Sequence, residues 1–273
     1  MFRIPAAAAV VALVAVHASA SSITDFTEWT LFDDPSGGTI SPFLSGSSTM
    51  TTATLSAGNG DVPAADDIGF ATTNANTVAA STSGFAFDKD ASFSLAVTYD
   101  LTFAGSPAAV GNIGLGFGIG EERSGENSVG VAILTIDGSP TLFFGGARRV
   151  DNDTILGSSL VPATLSGTLF VTYDAFTGNV TVGGSQTKDA NMADPLGSVV
   201  FGGVQPLWNE QDLLASFFIN GVTFGGGWDG GEADAVFTNF RVLSGSPYVI
   251  PEPASLALLA ASFGLIASRR RRA

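Results

Sequence analysis

Three carboxylates, Glu121, Glu122 and Glu126, bracket Arg123 and Gly125 in a short acidic segment. Two carboxylates about 5–9 Å apart across a glycosidic bond can cleave it, one as acid and the other as base or nucleophile. These three lie in what reads as a polar turn and lack the alternation along a strand that would aim two acids into one cleft, so a solvated loop is expected. Asp151-Asn152-Asp153 offers hard oxygen ligands of the kind calcium takes, as do the pairs Asp88 with Asp90 and Asp66 with Asp67. None has the spacing of an EF-hand, and Asp and Asn are ordinary turn formers. Asp151 to Asp153 is the leading calcium candidate. Trp208 and Trp228 are the aromatic side chains of interest. Trp228 sits in Gly225-Gly226-Gly227-Trp228-Asp229-Gly230-Gly231, a loop that can offer an indole to the apolar face of a sugar or fold it onto the protein's edge.

The rest of the composition removes much other chemistry. Cysteine is absent, and the single histidine, His17, lies in a segment expected to be cleaved off. Without His or Cys the mature chain cannot assemble a Ser-His-Asp triad, a Cys-His pair or an ordinary zinc site. Net charge is −14, and between Ser21 and Ser268 the cations are only Lys89, Arg123, Arg148, Arg149, Lys188 and Arg241. Such a surface repels polyanions, which excludes nucleic acid as a partner class. Binding or scaffolding is expected rather than catalysis.

The elements that must position these residues read as strands. The chain has 34 Gly and 21 Phe with only 13% charged residues. That composition suits β-structure joined by glycine-rich turns. Phe93, Leu95, Val97 and Tyr99 alternate with polar or small residues, as do Val129, Val131 and Ile133 before the turn Asp137-Gly138. Leu169, Val171 and Tyr173 lead through Thr177-Gly178-Asn179 into Val180-Thr181-Val182, a β-hairpin pattern. Phe217, Ile219 and Asn220-Gly221 suggest another, and Val236 to Val242 a final strand. Gly114, Gly116, Gly118 and Gly120 alternate with Leu115, Phe117 and Ile119. A strand puts the glycines on one face, and no helix follows to make a phosphate cradle. An all-β, antiparallel β-sandwich over residues 21–248 is expected, with a division near Gly157 to Ala163 as the two-domain alternative.

Both ends carry address information. Arg3, the apolar run Ala6 to Val16, and Ala18-Ser19-Ala20 form a secretory signal peptide over residues 1–20, with Ala18 and Ala20 the small residues of the cleavage site. Residues 249–273 contain Pro251-Glu252-Pro253, an apolar stretch from Ala254 to Ser268, and Arg269, Arg270, Arg271 and Arg272. Fifteen apolar residues make a short transmembrane helix that spans by thinning the bilayer and snorkelling arginines, with the basic end cytoplasmic.

That order of Pro-Glu-Pro, apolar helix and arginine cluster resembles the PEP-CTERM sorting signal of bacterial surface proteins. The resemblance implies export by the Sec machinery, transient inner-membrane anchoring, processing by an exosortase, and a final place at the cell surface or in extracellular matrix. The segment Phe170 to Val182, and the closing Phe237-Thr238-Asn239-Phe240-Arg241-Val242, resemble strands of concanavalin-A-like or laminin-G-like jelly rolls. That second resemblance implies that the closing strand pairs beside the first, near Phe26 to Leu31, and that calcium could sit at a loop edge. The expected function is a structural or binding module among extracellular polysaccharide. A lectin-like carbohydrate-binding module and a glycoside hydrolase or lyase are the alternatives.

Overall fold

The computed structural model describes residues 23–34, 44–57, 67–103, 113–135, 141–151, 153–156, 161–194, 197–208, 212–221 and 233–250. Within them the fold is all-β, and the paired strands run antiparallel in two facing sheets. Strands are numbered in chain order. The eight-stranded sheet runs β1 (Thr30–Asp34), β4 (Asp67–Ala71), β15 (Leu214–Gly221), β7 (Ile113–Gly120), β8 (Ser128–Thr135), β9 (Leu142–Val150), β10 (Asp153–Leu156), with β11 (Val161–Ala163) also on β9. The seven-stranded sheet runs β14 (Ser198–Phe201), β13 (Asn179–Ser185), β12 (Ser166–Asp174), β6 (Phe93–Phe103), β16 (Ala233–Ser244), β3 (Thr52–Ala57), β2 (Leu44–Ser48). A small ladder joins β5 (Phe85–Ala86) to β17 (Tyr248–Val249). Strands from both sides of residues 157–163 share each sheet.

Period two governs which side chains enter the core. Leu115, Phe117 and Ile119 of β7 are buried between the sheets, and the glycines that alternate with them face outward. Aromatic rings fill the interior: Phe217 stacks on Phe237 at 4.2 Å, and Trp29 meets Phe240 edge-on at 4.9 Å. Offset and edge-on arrangements of this kind add to the burial of large apolar area.

Two expectations are corrected by the ladders. The closing strand β16 pairs with β3 and β6, while the first strand β1 pairs with β4 in the opposite sheet. Trp29 and Phe240 explain the difference, because they meet across the core, where residues of opposite sheets touch, and not along a ladder. Asn220-Gly221 is not a turn but the end of β15, opposite Gly114 and Ile113. The expected hairpin at Thr177-Gly178-Asn179 is present, with Asp174 opposite Asn179.

The sandwich has two unlike ends. At one, here called the exit end, β7 ends at Gly120 beside Leu214, β6 begins at Phe93, and the β12–β13 hairpin turns. At the far end, β1 stops at Asp34 opposite Asp67, β6 stops at Phe103 opposite Ala233, and β15 stops at Gly221 opposite Ile113.

Candidate functional site

The acidic segment closes the exit end of β7. Glu121 is fully buried, at 0% exposure, and accepts a hydrogen bond from Asn127 Nδ2 at 3.5 Å. The solvated loop expected from sequence is thus wrong for this residue: strand alternation carries on past Gly120 and turns position 121 inward. Glu122 bridges to Thr77 and is half-buried. Burial pushes its carboxyl above the usual range, and the charge of Glu126 adds to that. Glu126 itself is exposed.

Asn76 ties this segment to the loop after β4. Its carbonyl accepts from Arg123 N at 2.9 Å, and its Oδ1 from Ser124 N at 3.1 Å. Arg123 holds its guanidinium carbon 5.7 Å from the centre of the Phe32 ring, a cation–π placement. Phe32 belongs to a second apolar cluster, with Ala71, Val78, Ala86, Leu214 and Ile250, and Phe218 packs against it. This cluster lies on the outer face of the eight-stranded sheet, where Phe32, Gly69, Phe218 and Gly116 form one cross-strand row. A Cβ at Gly116 would collide with the Phe218 ring, so glycine there lets the ring lie on the sheet. Beyond Phe218 the outward row continues through Ala132 and Gly145, with Gly118, Gly130 and Ala147 beside it. These rows are made of small residues, with Gly130, Ala132 and Ala147 half-buried and Gly116, Gly118 and Gly145 buried.

The other candidates are scattered. Asp151 is exposed with a left-handed φ of 48°, and its N–H donates to Asn127 Oδ1 at 3.2 Å. Asp153 opens β10 opposite Val150, and Asn152 lies outside the described residues. Asp88 caps its own turn, its Oδ1 accepting from Asp90 N at 2.8 Å, while Asp90 pairs with Lys89. Asp67 opens β4, and Asp66 is outside the described residues. Among the described residues no three His, Cys, Asp or Glu side chains are grouped to hold a metal ion. Trp208 is buried against Tyr173 at 5.2 Å. Trp228, the signal-cleavage residues Ala18 and Ala20, Pro251-Glu252-Pro253 and Arg269 to Arg272 all lie outside the described residues. No described helix is long and apolar enough to cross a membrane.

Sequence reasoning missed two arrangements. One is a clasp on the seven-stranded sheet: Asp189 Oδ1 accepts from Thr98 Oγ1 at 2.6 Å and from Asn239 Nδ2 at 2.8 Å. Arg241 adds bonds to Asp189 O, Ala190 O and Asn191 Oδ1. Asn239 and Asp189 both take left-handed φ, at a β16 bulge and at a turn, which is the sequence signal available in hindsight. The other is Phe176, 97% exposed at the hairpin tip.

No family model and no curated protein matches the sequence. Among solved structures, the chain is similar to a functionally unknown protein from Saccharomyces cerevisiae, at 10% identity and a TM-score of 0.48, covering 82% of this chain and 100% of that one. It is also similar to basic winged bean lectin with Tn-antigen, at 14% identity and 0.40, covering 78% and 99%. An alginate lyase from Pseudomonas aeruginosa is similar at 12% identity and 0.41, covering 74% and 86%. At such identities the likeness concerns the fold alone.

Proposed function

We propose that this chain is an exported surface protein. Its β-sandwich, residues 21–248, acts as a binding or structural module in an extracellular polysaccharide setting. It is delivered by the Sec machinery and by a C-terminal segment, residues 249–273, that anchors it in the membrane until an exosortase processes it. The single observation that carries this reading is how firmly the chain is held just before the segment that resembles the sorting signal. Ile250 is held to the body, buried among Phe32, Val78, Ala86 and Leu214 with its N–H on Gly84 O, and Pro251-Glu252-Pro253 begins at the next position. A cut at or after Pro251 would leave the β17 strap and the seat of Ile250 in place.

A non-enzymatic role is supported by the lack of His and Cys in residues 21–248 and by the burial of Glu121, which keeps that carboxylate from touching a polymer. A hydrolase or lyase reading would have to use Glu122 and Glu126. The lectin-like reading gains from the partly exposed small residues Gly130, Ala132 and Ala147 on the outer face, since short side chains admit a planar sugar face close to the backbone. It would assign Trp228, and a calcium ion at Asp151 to Asp153, to the ligand.

Intact-mass measurement of the protein from its host tests the sorting reading. Loss of the residues from near Pro251 onward is expected; a mature mass that retains Arg269 to Arg272 would overturn it in favour of a permanent anchor. Hydrolysis of purified matrix polysaccharide that is lost in Glu122→Gln would establish the enzyme reading instead.

A further inference from the structure

We infer that, while the C-terminal segment is attached, the sandwich stands with its exit end against the bilayer, its far end turned outward, and Phe176 in contact with the lipid headgroup region. This rests on the membrane-anchored precursor proposed above, and on three observations about the body itself.

First, the chain is fixed to the body up to Ile250, directly before Pro251. Tyr248 and Val249 pair with Ala86 and Phe85, and Ile250 N donates to Gly84 O at 2.9 Å. The Ile250 side chain is 7% exposed, within the cluster of Phe32, Val78, Ala86 and Leu214. Tyr248 Oη donates to Asp212 Oδ2, and Asp212 Oδ1 accepts from Lys89 N at 3.3 Å, so the strap is tied at both margins. Only Pro251-Glu252-Pro253 separates Ile250 from the apolar run that begins at Ala254. Three residues reach about 11 Å at full extension, and two prolines favour about 3.1 Å per residue. That tether is roughly a third of the 30 Å hydrocarbon core, too short to let the body stand away or turn over.

Second, exposed apolar side chains gather at this end. Phe176 is 97% exposed on a tip that is rigidly made. Asp174 Oδ1 accepts from Phe176 N at 3.0 Å, its Oδ2 accepts from Thr177 Oγ1 at 2.7 Å, and Gly178 takes a φ of 68°. Ala175 N donates to Ser92 Oγ at 3.0 Å, which fixes the hairpin beside the start of β6. Val200, 61% exposed and opposite Thr181 near the same hairpin, and Tyr248 and Val249 of the strap are exposed apolar residues toward this end as well. A phenyl ring held out by an ordered turn has no role inside the fold, and a bilayer interface is the apolar medium that the short tether brings to it.

Third, the ladders put the ends of β1, β3, β6, β8 and β15, and the start of β16, at the far end. Any ligand site formed there then faces away from the membrane. Asp88, Asp90, Asp174 and Asp212 at the exit end oppose anionic lipid, so the contact is apolar and favours a zwitterionic surface.

Absence of cysteine makes the test direct. Phe176→Cys and, on the far side, Leu165→Cys are each labelled with a fluorophore in the exported precursor that keeps its C-terminal segment. Each is reconstituted in phosphatidylcholine–phosphatidylethanolamine vesicles bearing headgroup nitroxides. The expected result is co-flotation of both, with quenching at position 176 several-fold greater than at 165. Quenching must disappear when the chain is ended after Ile250, and it must weaken when phosphatidylglycerol is added. Co-flotation with equal quenching, or with stronger quenching at 165, overturns the orientation alone. Failure to float overturns the anchored precursor, and the orientation with it. Quenching that rises with phosphatidylglycerol overturns the apolar contact.

Discussion

At Gly118 a methyl group has no room: a Cβ would lie 2.8 Å from Val129 O and 3.1 Å from Gly130 Cα. Gly118→Ala is expected to destabilise the protein by about 1–3 kcal/mol in urea unfolding, as overpacking does. Gly202→Ala, whose nearest neighbour would be Asn179 Oδ1 at 3.5 Å, should change little. A second residue-scale expectation concerns acid. Hydrogen bonds from Asn239 and Thr98, helped by the charges of Arg241 and Lys188, hold the Asp189 carboxyl below its usual range. A carboxylate whose folded pKa is depressed contributes stability above its unfolded value, about 3.9, and loses it as pH falls through the folded value. Unfolding midpoints of the parent should therefore fall toward those of Asp189→Ala below about pH 4 and separate above it. Equal separation at pH 3 and pH 7 would refute that linkage. At this scale the glycine face of β7 was legible, because period two is written in one segment. The burial of Glu121 was not, since it depends on Asn127 and on a turn whose geometry brings the two together.

Arg241 works on an element. Its guanidinium donates to acceptors on three successive residues of the segment between β13 and β14, and Lys188 pairs with Asp100 beside it. Arg241→Ala should raise amide exchange in residues 186–194 while leaving β6 and β12 protected, at a cost of about 1–3 kcal/mol for the charge-assisted bonds lost. Exchange that rises equally in β6 would mean that the clasp supports the sheet and not only the loop. The strap offers a parallel test. Ile250→Ala removes buried methyl groups and should free residues 245–250 to limited proteolysis without shifting the main unfolding transition, because local opening costs less than global unfolding. Strand elements with several alternating residues were readable from sequence. The two-residue β17, lying between Pro247 and Pro251, has no periodic run to read, and its register is set by Phe85 and Ala86 far away in the chain. The partners of β16 were expected from a resemblance and not from a periodic run, and its ladders to β3 and β6 join segments far apart in the chain.

For the whole molecule, composition and alternation sufficed for an all-β sandwich, whereas the order of strands in each sheet needed the ladders. The candidate ligand groups were less legible. Asp88 and Asp90 serve turns, Trp208 fills the core, and the acids do not converge among the described residues. If the lectin-like reading is right, Trp228→Ala should leave the unfolding temperature unchanged and reduce retention on matrix polysaccharide about tenfold, the effect of removing one stacking platform. Unchanged retention would remove Trp228 from the account. The seating of Ile250 has one more consequence, for the protein's durability if the proposed processing at Pro-Glu-Pro releases it. Exopeptidases trim a chain by drawing its loose end into a narrow cleft. After a cut in the Pro-Glu-Pro segment, only a residue or a few would be loose before the trimming enzyme met a carboxyl-terminal strap laddered to β5 and plugged into an apolar socket. A protein released in that way would keep a defined, trim-resistant end.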